Sequence, residues 1–277
     1  MQTIGGQAVV EGVLMISDAK SAVSVRLTDG SIKTQVHKRR SFTQQFKHIF
    51  LLRGVLALID MVYTGTKAIT WSSNQQLEKE EQIGGMGIFL TILFSFALGI
   101  GIFIVLPLYV TKLITTDTLL FNILDGVIRV VVFILYILLI AQLKDVKRLF
   151  EYHGAEHMAV HCHEARKKLT PETVRTFSTL HPRCGTAFIF IVLLISIFVY
   201  SFITSEHWLI QFGLRLLFIP LIAGISYEIL KLGAKHQDKL FFRALIAPGL
   251  WFQKITTKEP DKKQVEVAIA SLKAVIT

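Results

Sequence analysis

Four long apolar stretches constrain this 277-residue chain more than any other feature. They run roughly Gly87–Leu108, Leu119–Gln142, Thr186–Thr204 and Trp208–Ile229. As helices rising about 1.5 Å per residue, all four are long enough to cross roughly 30 Å of bilayer hydrocarbon. Backbone in lipid must satisfy its own hydrogen bonds, so such stretches predict helices rather than loops or open strands. Composition agrees: 52% of the residues are apolar, yet Lys+Arg number 30 against 20 acids. A soluble domain rarely combines such hydrophobicity with such basicity, whereas a membrane protein with basic cytosolic loops does. The expected class is a mainly α polytopic membrane protein of about four transmembrane helices, its first partner the lipid bilayer. Met1-Gln2-Thr3-Ile4-Gly5-Gly6 has no basic region ahead of an apolar core, so no cleavable signal is expected.

Charge sets the orientation. Ten Lys/Arg precede the first stretch, eight lie between the second and third, and nine follow the fourth. The two other connections hold one, Lys112. The excess of basic residues predicts that both termini and the 144–185 segment face the cytosol, with the chain crossing a cytoplasmic membrane several times. Cys162 and Cys184 then sit in a reducing compartment, where a structural disulfide is not expected. Charges inside the stretches (Asp125 and Arg129, and Arg215) are candidates for function by default. Asp125 and Arg129 are four apart and read first as a pair.

The remaining segments divide by pattern. In 1–40, Val23, Val25 and Leu27 alternate with polar residues, Asp29-Gly30 follows, and Ile32, Thr34 and Val36 alternate again. That predicts a small antiparallel element with a hairpin at Asp29-Gly30 and bends at Gly5-Gly6 and Gly12. In 41–85, Ile49–Tyr63 predicts a short apolar helix, buried or re-entrant, and Asn74–Gln82 a polar linker. Helices one and two occupy 86–143, a His-rich helix and loop 144–185, and helices three and four 186–230. In 231–277, Ala247-Pro248-Gly249 predicts a turn, with Phe241–Phe252 at the interface. Val265, Ala268, Ile269, Leu272, Val275 and Ile276 form the stripe of a final amphipathic helix. Lys38-Arg39-Arg40 is a short basic run without a stacking module, and no nucleic-acid partner is expected.

Chemistry concentrates in Glu151-Tyr152-His153-Gly154-Ala155-Glu156-His157 and the Met158–Glu164 stretch behind it, which together hold four of nine histidines. On a helix, His153 and His157 lie one turn apart on one face and can pinch a metal ion. Glu156 beside them can take a proton from an attacking water. The pattern His153-x-x-Glu156-His157 has the letters of the inverted zinc-protease motif, and a polar cytosolic helix with solvated histidines has them too. His181 and Cys184 follow in His181-Pro182-Arg183-Cys184-Gly185. Cys184, at a helix start beside arginine, is open to three readings: soft metal ligand, nucleophile or inert small residue. The candidate set is Glu156 as base; His153, His157, His181 and Cys184 as metal ligands; and Glu11 or Glu164 as a further ligand or orienter. Zinc suits mixed imidazole and thiolate donors best, with another divalent transition metal as the alternative.

Several of these stretches resemble one family. Gly5-Gly6-Gln7-Ala8-Val9, Glu11-Gly12-Val13, Arg53-Gly54-Val55, Tyr152–His157, His181–Thr186, Ser226-Tyr227-Glu228, Pro248-Gly249-Leu250 and Thr256-Thr257-x-Glu259-Pro260 are similar to motifs of the DUF1385 family of bacterial membrane proteins. The resemblance implies a metal-dependent enzyme in the bacterial cytoplasmic membrane, a description that rests on the same His/Glu/Cys motifs. The family commonly has a basic residue after His-Gly-Ala-Glu-His, where this chain has Met158; His161 and His163 lie outside its motifs. Two functions fit: a membrane-embedded metal-dependent hydrolase, or a non-enzymatic scaffold or assembly factor in which the same residues make a structural metal or hydrogen-bonded site. A transporter fits less well, because the apolar stretches lack paired Gly/Pro-interrupted helices.

Overall fold

The computed structural model describes residues 4–39, 46, 48–82, 84–203, 207–236 and 239–276. The chain opens with an antiparallel meander of β1 (Gly5–Val9), β2 (Gly12–Ile16), β3 (Lys20–Arg26) and β4 (Ile32–Lys38), in that spatial order. Asp29-Gly30 closes the β3–β4 hairpin: Gly30 takes φ +85°, and the Asp29 carboxylate accepts from Ser31 N at 2.8 Å. Gly5-Gly6, expected as a bend, lies inside β1 instead. The reversal falls at Val10-Glu11, where Glu11 takes φ +52° and Gly12 opens β2.

Both faces of the sheet are covered, which is why β2 is buried at every position. Successive side chains alternate between faces. Ala8, Val13, Met15 and Ala22 point to α5 (Lys144–Glu164) and α10 (Lys262–Ile276), meeting Ala155, Ala159, Ala268 and Leu272. Leu14, Ile16, Val23 and Val25 point the other way, onto Ala68 and Trp71 of α1 (Leu52–Asn74). The stripe expected on the final helix is the buried face of α10, apart from the exposed Ile276. Ser271 on that face donates to the Ala22 carbonyl at 2.8 Å. α1 runs well past the expected Tyr63, because Gly65, Ala68 and Ser72 continue a small-residue face against the sheet. Its other end packs on α8 (Trp208–Lys235), with Gly54 against Tyr227 and Arg53 ion-paired to Glu228.

The apolar helices form the second part. α2 (Gly85–Ile100) continues through a π turn, Gly101–Val105, into α3 (Leu106–Ile114), and α4 (Thr118–Ile140) returns directly into α5. After α6 (Pro171–Val174), α7 (Gly185–Tyr200) packs between α4, α8 and α9 (Leu240–Thr256). Among the described residues, three helical stretches are long and apolar enough to cross a membrane: Gly85–Ile114, Leu120–Ile140 and Trp208–Lys235. The fourth expected span is shorter. α7 has 16 residues, about 24 Å at 1.5 Å each, against roughly 30 Å of hydrocarbon; Thr204, the expected end of that span, lies outside the described residues. Pro248, expected in a turn, stands inside α9. Packing overrides the local signal there: Gly249 sits so close to α7 that an added Cβ would lie 2.9 Å from Ala187 Cα.

Leu272 is fully buried between the sheet and α5. Leu272→Ala should therefore lower the unfolding free energy by about 2–5 kcal/mol, read as a lower denaturation midpoint of the purified protein.

Candidate metal centre

α5 is a polar helix that the fold nevertheless buries: Gly154 to Val160 are all inaccessible, Glu156 and His157 included. Gly154 makes this possible. The segment after α9 crosses it so closely that an added Cβ would stand 2.1 Å from the Lys258 carbonyl oxygen. Lys258 N donates to the Phe150 carbonyl at 2.9 Å, fixing the crossing, and the Thr256 carbonyl is brought to His153 Nδ1 at 2.9 Å.

His157 is held in the same way by a second backbone carbonyl, that of Thr179, at Nδ1. A carbonyl oxygen can only accept, so both histidines carry a proton on Nδ1, and in the neutral ring the electron pair is then on Nε2. The loop supplying Thr179 is anchored by Gln253, fully buried on α9. Its amide accepts from His181 N at 2.8 Å and donates to His181 O at 2.9 Å. Cys184 caps α7, its sulfur accepting from Thr186 N at 3.4 Å. That sulfur lies 3.2 Å from His153 Nε2, and the two histidine rings stand 4.4 Å apart between centroids. His153, His157 and Cys184 each offer a ligand atom within 4.8 Å of the others. Around a tetrahedral ion with bonds of about 2.0–2.3 Å, neighbouring donors lie about 3.5 Å apart. These three could hold a metal ion, and imidazole nitrogen and cysteine sulfur are donors of the kind that zinc takes.

Glu156 completes the group. Its carboxyl is buried against β1, where a Cβ on Gly6 would lie 2.7 Å from Oε1, and Oε2 is 3.5 Å from His157 Nε2. Burial pushes its pKa up to about 7, against the pull of His153 and Arg183.

The other sequence candidates fall around this group rather than within it. His181 stands beside His157, ring centroids 5.6 Å apart, but groups with His161 and Glu164. It accepts from Arg183 N at Nδ1, at 3.2 Å, so its proton is on Nε2, which faces Glu164 Oε2 at 3.6 Å. Burial, then the neighbouring His161 and His157, hold its pKa far below the usual histidine range. Glu164 is ion-paired with Arg183, and His161 Nε2 donates to the Leu180 carbonyl at 2.8 Å. Glu11 turns to Arg148 and accepts from the Tyr152 hydroxyl at 3.2 Å. Both cysteines are free thiols. Sequence reasoning missed the carbonyls of Thr256 and Thr179, which no side chain marks, and Gln253, whose signal was a lone amide on an apolar helix.

The family model described as "Protein of unknown function (DUF1385)" matches residues 49–277. The "Uncharacterized protein YqhQ" of Bacillus subtilis (strain 168) is 34% identical over 287 residues, covering 96% of this chain and 90% of that protein. No solved structure matches the chain.

Two outcomes test the site's construction. Gly154→Ala should destabilise the fold by about 1–3 kcal/mol, as overpacking does, because backbone and not a flexible side chain opposes the new methyl. The second is a pH dependence. Glu156 holds its proton to about 7 in the fold and to 4.5 as a free group. Its contribution is present in full below the lower value and is lost as pH rises through the upper one. Metal-free protein should thus melt progressively lower from about pH 5 to about pH 8, and Glu156→Gln should flatten that slope.

Proposed function

The chain belongs to the DUF1385 family, and we propose that it is a membrane-anchored, metal-dependent hydrolase whose site faces the cytosol. His153, His157 and Cys184 hold zinc or another divalent transition metal, and Glu156 is the general base. The observation that carries this reading is the pair of Nδ1–H bonds to the Thr256 and Thr179 carbonyls. They turn the Nε2 atoms inward, that of His153 to the Cys184 sulfur at 3.2 Å and that of His157 to Glu156 at 3.5 Å, and an outer hydrogen bond of this kind orients histidines that bind metals. A divalent ion in that position supplies Lewis acidity, polarising a carbonyl or phosphoryl oxygen and acidifying water.

Three protein donors leave a fourth position open, as a catalytic site requires, whereas four would close it. For that reason His181 is assigned outside the ligand set, where it faces Glu164 and, with Arg183, walls the site. Glu156 is buried beside His157, and a carboxylate near neutrality holds a proton at an oxygen and returns it to a leaving group most effectively. The cytosolic placement rests on charge: ten, eight and nine Lys/Arg stand in the segments assigned to that side, against Lys112 in the two other connections.

A scaffold reading has one observation in its favour: the same bonds fasten α5 to the end of α9 and to the loop before α7. Complementation of a deletion strain, with protein level and metal content followed, separates the two. His153→Ala/His157→Ala should lose the metal under the hydrolase reading and under a scaffold with a structural metal. Glu156→Gln should keep metal and expression near wild type yet lose the cellular function, since removing a base typically costs about 10²–10⁴-fold in rate. A normally expressed Glu156→Gln protein that complements fully would leave the scaffold.

A further inference from the structure

Toward the opposite end of the apolar helices, α4, α7 and α8 bury charges that do not balance. Asp125 Oδ2 accepts from Arg129 Nη2 at 2.7 Å and also from Arg215 Nη1. Asp125, Arg129 and Arg215 are 1%, 4% and 0% exposed. Arg129 Nη1 reaches Ser196 Oγ at 3.2 Å, and both guanidinium groups lie over the Tyr200 ring, 4.8 and 5.1 Å from its centroid. Even so, Nε of both arginines, Nη2 of Arg215 and Oδ1 of Asp125 are buried without a hydrogen-bond partner.

Guanidinium groups do not lose their proton in proteins, so two fixed cations share one carboxylate. Among the described residues Asp125 is the one acid paired with either arginine. A net positive charge in an apolar interior is costly, and each unsatisfied N–H adds to the cost. Water would answer the second problem; an anion answers both.

The same helix faces lead to open space. Asn122 stands three residues before Asp125 and Gln211 four before Arg215, one turn away on each helix. Both line a cavity of about 860 Å³ between α3, α4 and α8, with Lys112 on its wall and Leu108, Phe121 and Phe212 among its apolar residues. Asn122 Oδ1 is itself buried and unpartnered. The volume falls within the roughly 300–1,000 Å³ of ordinary ligand pockets.

We propose that Arg129 and Arg215, whose unpartnered N–H groups lie one to two helical turns beyond the Asn122 and Gln211 that line this cavity, bind a singly charged anion. Its source is either a free inorganic ion or the carboxylate or phosphodiester headgroup of a lipid, whose chain the apolar wall suits. The site stands apart from the histidine–cysteine cluster and does not depend on a metal there.

The test uses the full chain purified in detergent and dialysed into gluconate, a bulky anion. Thermal midpoints are read with chloride replacing gluconate at fixed ionic strength, and with decanoate against the neutral decanol. Native mass spectra record what the protein retains. Chloride, or decanoate in clear excess over decanol, should raise the midpoint by several degrees, and the effective one names the source; a retained anionic lipid names it equally. Ser196→Asp sets a fixed carboxylate against Arg129 and should raise the basal midpoint while abolishing the response. Arg129→Gln, which removes the excess charge, should also abolish it. The assignment is overturned by no response to either anion together with no anion retained, or by equal shifts with decanol and decanoate and none with chloride. It is also overturned if either variant, folded, responds as wild type does.

Discussion

The crossing of the Thr256–Lys258 backbone over Gly154 is the contact on which the rest of the centre depends. Any side chain at 154 would collide with the Lys258 carbonyl. With none there, the strand of backbone after α9 lies flat on α5, delivers the Thr256 carbonyl to His153, and carries on into α10, which closes over the sheet. One missing methyl thus couples the orientation of a ring to the placement of a whole helix. The helix tolerates this glycine, worth up to about 1 kcal/mol against alanine in an exposed helix, because burial on every side fixes α5 whatever its propensity.

The arrangement also explains how so polar a helix can lie in a core. Glu156, His157 and His181 are each nearly inaccessible, and burying polar groups without partners is costly. Here backbone groups supply most of the partners: the carbonyls of Thr256, Thr179 and Leu180 for the rings of His153, His157 and His161, and the amide of Arg183 for that of His181. Backbone partners fix tautomers, since a carbonyl cannot donate and an amide cannot accept. The result is a row of four imidazoles oriented by backbone groups, with His153 Nε2 against Cys184 at one end and a Glu164–Arg183 pair at the other.

Much of the architecture was legible because it follows from periodicity. The Asp29-Gly30 hairpin, the stripe on α10 and the His-rich α5 all rest on local rules that their packing obeys. Where a local rule met a stronger tertiary contact, it failed: Pro248-Gly249 is helical where it lies against Ala187, and Gly5-Gly6 is extended because it pairs with Met15-Ile16 of β2. Of the site, the letters His153, His157 and Cys184 were readable. The partition that puts His181 with His161 and Glu164 was not, because it is decided by backbone groups that have no letter. Likewise Asp125 and Arg129 announced themselves as an i,i+4 pair, while Arg215, ninety residues after Asp125, joins them only through the packing of α8.

The central claim is that two imidazoles and one thiolate share a single ion, with His181 outside it. X-ray absorption at the zinc edge of the purified protein measures that set directly. The account predicts one sulfur at about 2.3 Å and nitrogen or oxygen scatterers at about 2.0–2.1 Å, with the sulfur shell absent in Cys184→Ser and the spectrum unchanged in His181→Gln. A spectrum of bound zinc with no sulfur shell, or one that loses an imidazole in His181→Gln, would contradict it.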